Sequence, residues 1–249
     1  MITAWKKNFK WYFEPCPTDF LDDKVVLEVG CGKGRHTYYT SKRAQQVFAV
    51  DLSQAIDMAR LNNRANNNIH FIQADIFNLP FKSNFFDLVF SLGVLHHLPH
   101  PEEGFKQIVK LIKPGGGILV YVYHKLPVGS LKYYILSIVN FFRRLTVKLP
   151  HELLYYLCWP IAFLSYALII IPYSFLRKFE ISRALAERFP LKLYADYPFQ
   201  VILNDTFDRF SAPIENRYSQ QEILAWLKHG SFKNTKILGG GGWRVFGIK

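Results

Sequence analysis

The stretch "KVVLEVGCGKGRHT", Lys24 to Thr37, constrains the chain more than any other. A short β-branched run leads into three glycines at alternate positions, Gly30, Gly32 and Gly34, and then into helix-like sequence. Glycine at the end of a strand permits positive φ and lets a ligand approach the backbone. The helix N-terminus that follows offers unpaired N–H groups. The plain alternative is a tight strand-to-helix turn with no ligand. A dinucleotide site would need G-x-G-x-x-G, but Arg35 directly follows Gly34 and the spacing reads E-x-G-x-G-x-G. Its acid, Glu28, would repel a pyrophosphate and attract a cation.

The runs around this loop set the fold class. "KVVLEVG", "QQVFAVD", "IHFIQAD", "FFDLVFSLG" and "GGGILVYVYH" read as strands, with helical stretches such as "SQAIDMARLNNRA" and "PEEGFKQIVKLIKP" between them. Strands alternating with helices pair in parallel, because parallel neighbours need a crossover. The end breaks the rhythm: "TKIL" and "WRVFGIK" are joined by glycines too few for a crossover, so this pair is expected to be antiparallel.

With the acid, the glycines and the strand ends in this order, the chain resembles a class I S-adenosylmethionine-dependent methyltransferase. It is similar to the group that includes ubiquinone and menaquinone methyltransferases. The match is close from Lys24 to His124, with an echo from Asn204 to the end. The resemblance implies a Rossmann-like α/β fold: a seven-stranded, mostly parallel sheet whose last strand is antiparallel. It implies S-adenosylmethionine as cofactor, its methionine part received by the loop of Glu28, Gly30, Cys31, Gly32 and Gly34. Asp51, closing the second strand, would bind both ribose hydroxyls, with Leu52 along the adenine. Asp75 would accept from the adenine amino group, with Ile76 against the ring. Ser91 and Leu92 would line the site near the sulfonium. Asp51 could instead cap the helix beginning at Ser53, and Asp75 could be an ordinary loop residue.

Methyl transfer needs the acceptor held in line with the methyl–sulfur bond, and a base only where the acceptor loses a proton. His96 and His97 in "GVLHHLPH", and His124 after the fifth strand, are the candidate catalytic residues. A helix-start or packing role is the alternative for His96 and His97. No acid near His96, His97 and His100 completes a metal-ligand spacing, so no metal is expected. The N/D-P-P-Y/F motif of exocyclic-amine methyltransferases is absent, since its place reads "SLGV". No cysteine lies near that loop for a pyrimidine-carbon mechanism. Nucleic acid is therefore the less favoured partner, with ribose and other base positions left open. In the tail, Asp205, Asp208, Arg209 and Tyr218 are candidate acceptor contacts, and Ser219 with Glu222 forms a capping box.

The chain carries 31 Lys and Arg against 19 Asp and Glu, a net charge of +12. That excess fits an anionic partner: nucleic acid, an acidic membrane surface or an acidic substrate. Cys16, Cys31 and Cys158 form no disulfide framework, and the N-terminus lacks a signal peptide's apolar core, so a cytoplasmic protein is expected. Four regions follow: a basic, aromatic segment (1–23), the cofactor core (24–125), an apolar helical cap (126–200) and a C-terminal part completing the sheet (201–249). The cap contains Leu153 to Leu176 without a charged residue, long enough to span a bilayer. A single crossing is excluded because the last strands must rejoin the sheet, and Pro160 and Pro172 would kink the helix. Basic pairs Arg143-Arg144 and Arg177-Lys178 flank it. A peripheral foot on the inner face of an anionic membrane is expected, with "WKKNFKWYF" as a second contact. A cover over the acceptor pocket, a dimer face and a membrane-spanning hairpin are the alternatives. The expected activity is methyl transfer to a small or lipophilic acceptor: quinone-like, lipid-linked or a glycan precursor. An RNA methyltransferase is the alternative enzyme, and a non-catalytic cofactor-binding membrane adaptor the alternative outside enzymes.

Overall fold

The computed structural model describes residues 3–180, 184 and 191–249; part of the expected cap, 181–183 and 185–190, lies outside them. The chain divides into two compact units, 1–125 with 214–249 and 126–213.

The first unit is built on a seven-stranded sheet: β1 (Val25–Val29), β2 (Gln46–Asp51), β3 (Ile69–Gln73), β4 (Phe86–Leu92), β5 (Ile112–Val122), β6 (Lys233–Leu238) and β7 (Trp243–Ile248). Their spatial order is β3-β2-β1-β4-β5-β7-β6. The first five strands run parallel, while β7 is antiparallel to both β5 and β6. The antiparallel pairing of the last two strands follows from the short glycine link 239–242, which cannot carry the chain back over the sheet. The strand order reverses between β1 and β4, and in open α/β sheets ligands lie at the carboxyl ends beside such a reversal.

Strand side chains alternate between two cores. Leu27, Val89, Ile118 and Val120 face one side, where α4 (Pro101–Lys110) and α9 (Gln220–His229) bring Phe105, Ile108, Ile223 and Trp226. Val26, Leu88, Phe90 and Leu119 face the other, covered by Phe9 and Phe13 of α1 (Thr3–Phe13) and by Tyr39 of α2 (Arg35–Ser41). The remaining helix of this unit is α3 (Ala55–Asn62). Ser219 and Glu222 make the expected capping box, which starts α9.

Helix α1, expected as a second membrane contact, is also a core element. Its apolar side packs into the core, and Trp11 lies 4.0 Å from the guanidinium of Arg244 on β7. Arg244 is 6% exposed; it donates to the Trp11 carbonyl (2.6 Å), the Glu14 carboxylate (2.5 Å) and the Gly239 carbonyl (2.9 Å). A buried cation needs partners, and for its two terminal nitrogens these come from the end of α1 and from the glycine link.

The second unit comprises α5 (Leu131–Thr146), α6 (His151–Ser165), a π turn (Tyr166–Ile170), α7 (Ile171–Leu176), a 3-10 turn (Lys192–Asp196) and α8 (Phe199–Ser211). Ser130 caps α5 by accepting from the Tyr133 amide at 3.1 Å. Leu154, Cys158, Ala162 and Ile170 form one stripe of the long helix and pack with Ile202 and Leu203 of α8. The boundary after the insertion therefore falls at Pro213 rather than at residue 200, and α8 belongs with the inserted helices.

Replacing Arg244 by Ala should release α1 and cost about 1–3 kcal/mol by leaving the Trp11 and Gly239 carbonyls without their donor. Limited proteolysis followed by mass spectrometry should then show first cleavage before Val25. Unchanged protection of that segment would refute the anchoring role.

Candidate active site

At the carboxyl end of β1 the backbone is left-handed at Gly30 (φ +79°) and Gly32 (φ +52°). The two positions serve different ends. A Cβ on Gly30 would stand 2.1 Å from a Val94 methyl, so the bare backbone is needed for the β1 loop to pass the β4 loop. A Cβ on Gly32 would meet nothing within 4 Å, so this residue borders open space. The Gly30 and Cys31 amides both donate to the Val50 carbonyl, at 2.7 and 2.9 Å, and fix the turn. Cys31 is buried with its thiol pushed up by burial, so it is a packing residue beneath the loop rather than a reactive one.

Two carboxylates hold this loop. Asp51 accepts from the Gly32 amide (2.7 Å) through one oxygen and from the Ser53 amide (2.9 Å) and hydroxyl (2.6 Å) through the other. Three of its four lone-pair positions are thus engaged. A ribose diol would take the fourth and replace the Ser53 hydroxyl. Glu28 is 2% exposed and accepts from the Thr37 hydroxyl at 2.5 Å. Burial pushes its carboxyl up to about 8, against the opposing pull of Thr37 and Arg35.

The adenine-side residues divide. Leu52 is 67% exposed directly after Asp51, a bare apolar surface beside the loop. Asp75, for which an ordinary loop role was the alternative, accepts from the Phe77 amide (3.0 Å) through Oδ1 and so caps the 3-10 turn Ile76–Asn78, and Oδ2 is left for a ligand. Ile76 is buried in the core with Leu95 and Phe105 and contributes no open face. Ser91 is fully buried and its hydroxyl donates to the Val29 carbonyl (2.9 Å), so it ties β4 to β1 instead of lining the site. Leu92 packs against the core on the α1 side.

The three histidines are not equivalent. His96 is fully buried in the 3-10 turn Leu95–His97, its ring centre 4.0 Å from that of Tyr123 at a tilt of 31°, and burial pushes it down to about 2. It is neutral at any working pH and too weak to serve as a base. His97 places Nδ1 2.7 Å from the Ile214 carbonyl. A carbonyl only accepts, so Nδ1 carries a proton, and in the neutral ring the lone pair is on Nε2. His124 turns away from this cluster: its ring lies against Trp243 while neighbouring Tyr123 faces His96.

Sequence reasoning missed the aromatic wall around His96. Tyr121 and Tyr123 share a face of β5 and its extension, Tyr12 of α1 meets Tyr121 edge-on at 5.0 Å, and Arg217 stands 4.9 Å over Tyr123. The period-two "YVY" was a visible signal for two of these rings; nothing local announced Tyr12 or Arg217. Tyr218 lies against Trp226, while Asp205, Asp208 and Arg209 belong to the second unit. Among the described residues no three His, Cys, Asp or Glu side chains are grouped to hold a metal ion.

Residues 27–120 match the family model described as a methyltransferase domain. A tRNA U34 carboxymethyltransferase from Pseudoalteromonas atlantica is 33% identical over 122 residues, 47% of this chain and 38% of that protein. Phosphoethanolamine N-methyltransferase 2 from Caenorhabditis elegans is 32% identical over 111 residues, 43% of this chain and 25% of that protein. The chain thus spans well under half the length of these relatives. A solved S-adenosylmethionine-dependent methyltransferase from Aquifex aeolicus superimposes with a TM-score of 0.52 over 98% of this chain and 88% of its own, at 14% identity, a likeness of fold. Residues 27–120, inside the first unit, are thus similar to a methyltransferase domain, and the fold is shared with solved methyltransferases. The cofactor loop, Asp51, Asp75 and both candidate histidines after β4 all fall inside the matched segment.

Because Glu28 is protonated in the fold up to about pH 8, folding stability should be greatest below pH 4.5 as far as this group is concerned. It should fall as pH rises through 8, since the unfolded carboxyl ionises first. Denaturant titrations should show this loss, on the order of 4 kcal/mol between pH 5 and 8, flattened in Glu28→Gln. An equal slope in both proteins would refute the assignment.

Proposed function

We propose that the chain is an S-adenosylmethionine-dependent methyltransferase. The observation that carries this reading is the acid-and-glycine loop at the strand reversal, with Gly32 open and its amide held by Asp51. The bound cofactor supplies a methyl group activated on a sulfonium. Glu28 supplies the opposing charge: a cation beside the loop favours its ionised form, so binding releases a proton below about pH 8. Asp51 would engage the ribose hydroxyls, Leu52 would cover the base, and the free Asp75 oxygen would accept from its amino group. The chain's remaining task is to hold the acceptor in line, and such positioning supplies roughly 7–11 kcal/mol of a displacement barrier. Tyr12, Tyr121 and Tyr123 form the wall for this purpose. His97 Nε2 is the proton acceptor where the acceptor is a phenol or activated carbon.

Two acceptor classes each have an observation behind them. An RNA acceptor is favoured by the tRNA-acting relatives and by the +12 charge, and on the comparisons it has the stronger support. The likeness to those relatives covers the cofactor half of the domain, so the acceptor side of this chain rests on its own residues. A lipophilic acceptor is favoured by the exposed apolar helices of the second unit. Incubation with labelled methyl donor and either tRNA or lipid extract separates them by where label appears.

Asp51→Ala should lower donor affinity at least about tenfold by calorimetry with the fold intact, since charged hydrogen bonds are worth roughly 1.5–3 kcal/mol. No uptake of donor by the native chain would sink the proposal. His97→Ala should lower kcat about a hundredfold if Nε2 takes a proton; unchanged turnover would remove that role.

A further inference from the structure

The second unit turns its apolar side outward. On α5 the residues Leu131, Tyr134, Ile138, Phe141, Phe142 and Leu145 recur at helical spacing, and every one is at least 50% exposed. The inward side of the same helix holds Arg143, which is 7% exposed and donates to the Arg209 carbonyl (2.8 Å), and Thr146, which donates to the Phe210 carbonyl (2.8 Å). A helix in a water-soluble domain does the reverse. The long helix adds to this surface. Only one stripe of His151–Leu176 is covered by α8, and Tyr156, Trp159, Phe163, Leu168 and Phe175 lie exposed around it. Together these side chains expose on the order of 1,500 Å² of apolar surface, several times the largest patch of a typical soluble monomer.

We infer that this surface is a foot that rests in the interface of an anionic lipid bilayer without crossing it. Charge complementarity selects that occupant. From Leu131 to Leu176 the chain has four basic residues, Lys132, Arg143, Arg144 and Lys148, against the single acid Glu152, and Lys132, Arg144 and Lys148 are exposed beside the apolar stripe. A basic edge on an apolar helix face suits acidic headgroups over acyl chains. Among the described residues no second helix suits a return crossing. The 26-residue helix is long enough, but the chain leaves the sheet at Lys125 and rejoins it at Ile214, so a second element would have to return. Helix α5 has 16 residues, about 24 Å, short of the roughly 30 Å hydrocarbon core. Helix α8 carries Asn204, Asp205, Asp208 and Arg209. The inference does not depend on which acceptor the first unit takes.

The test is flotation of the full chain with vesicles of phosphatidylcholine, with and without phosphatidylglycerol, at low and high salt. The chain should float with the anionic vesicles at low salt. Ile138→Glu with Phe141→Glu should lower the bound fraction about tenfold, and Arg144→Glu with Lys148→Glu should remove the preference for phosphatidylglycerol. Both positions pairs are exposed, and calorimetry of donor binding to the first unit checks that each variant is folded. A native chain that stays in the aqueous fraction at low salt would overturn the inference. So would a dimer that Ile138→Glu dissociates while vesicles are ignored, or resistance to carbonate extraction, which marks a spanning segment.

Discussion

The close approach of Gly30 to Val94 sets the geometry of the whole first unit. It brings the end of β1 against the loop leaving β4, the two strands between which the sheet reverses its order. Once these loops touch, the next residues must rise over the strand ends, which leaves Gly32 facing outward with its amide directed at Asp51. The buried Glu28 sits beneath the same turn, tied to Thr37 of α2. A side chain at Gly30 would separate the loops and disperse every group gathered there. The site is thus a product of backbone packing before it is a product of ligand-binding side chains.

That origin explains how much was legible in the sequence. Positive φ at a strand end leaves a visible trace, because only glycine adopts it readily, and a terminal acid on a parallel strand leaves another. Asp51 and Glu28 were therefore readable, as was the antiparallel turn at the end of the sheet. The residues that read less well are those whose role depends on which way a strand's pleat faces. Ser91 and Ile76 lie at the right positions along the chain but point into the core. His96 and His97 look alike as neighbours in sequence, yet one is sealed against Tyr123 and the other is aimed by the Ile214 carbonyl. Burial and tautomer are properties of the fold, and no spacing rule carries them.

The N-terminal helix shows the same limit from the other direction. A mixture of Trp, Tyr, Phe and Lys suits a membrane surface or a core helix with a basic outer face equally well. The deciding partner, Arg244, is more than two hundred residues away along the chain. The insertion was easier, because apolar residues at helical spacing on α5 must face something. What the sequence did not disclose was that Arg143 would take the inner side of that helix.

The π turn at Tyr166–Ile170 has a consequence for the covered stripe of the long helix. Contacts repeated every four residues overshoot a full turn by about 40°, so Leu154, Cys158 and Ala162 already creep around the axis. Continued for two more turns, that creep would carry Ile170 off α8 altogether. The wider i→i+5 winding resets the phase, and Ile170 and Tyr173 come back under cover. An extra residue in the helix thus keeps a straight seam over its whole length, and leaves the opposite side continuous from end to end.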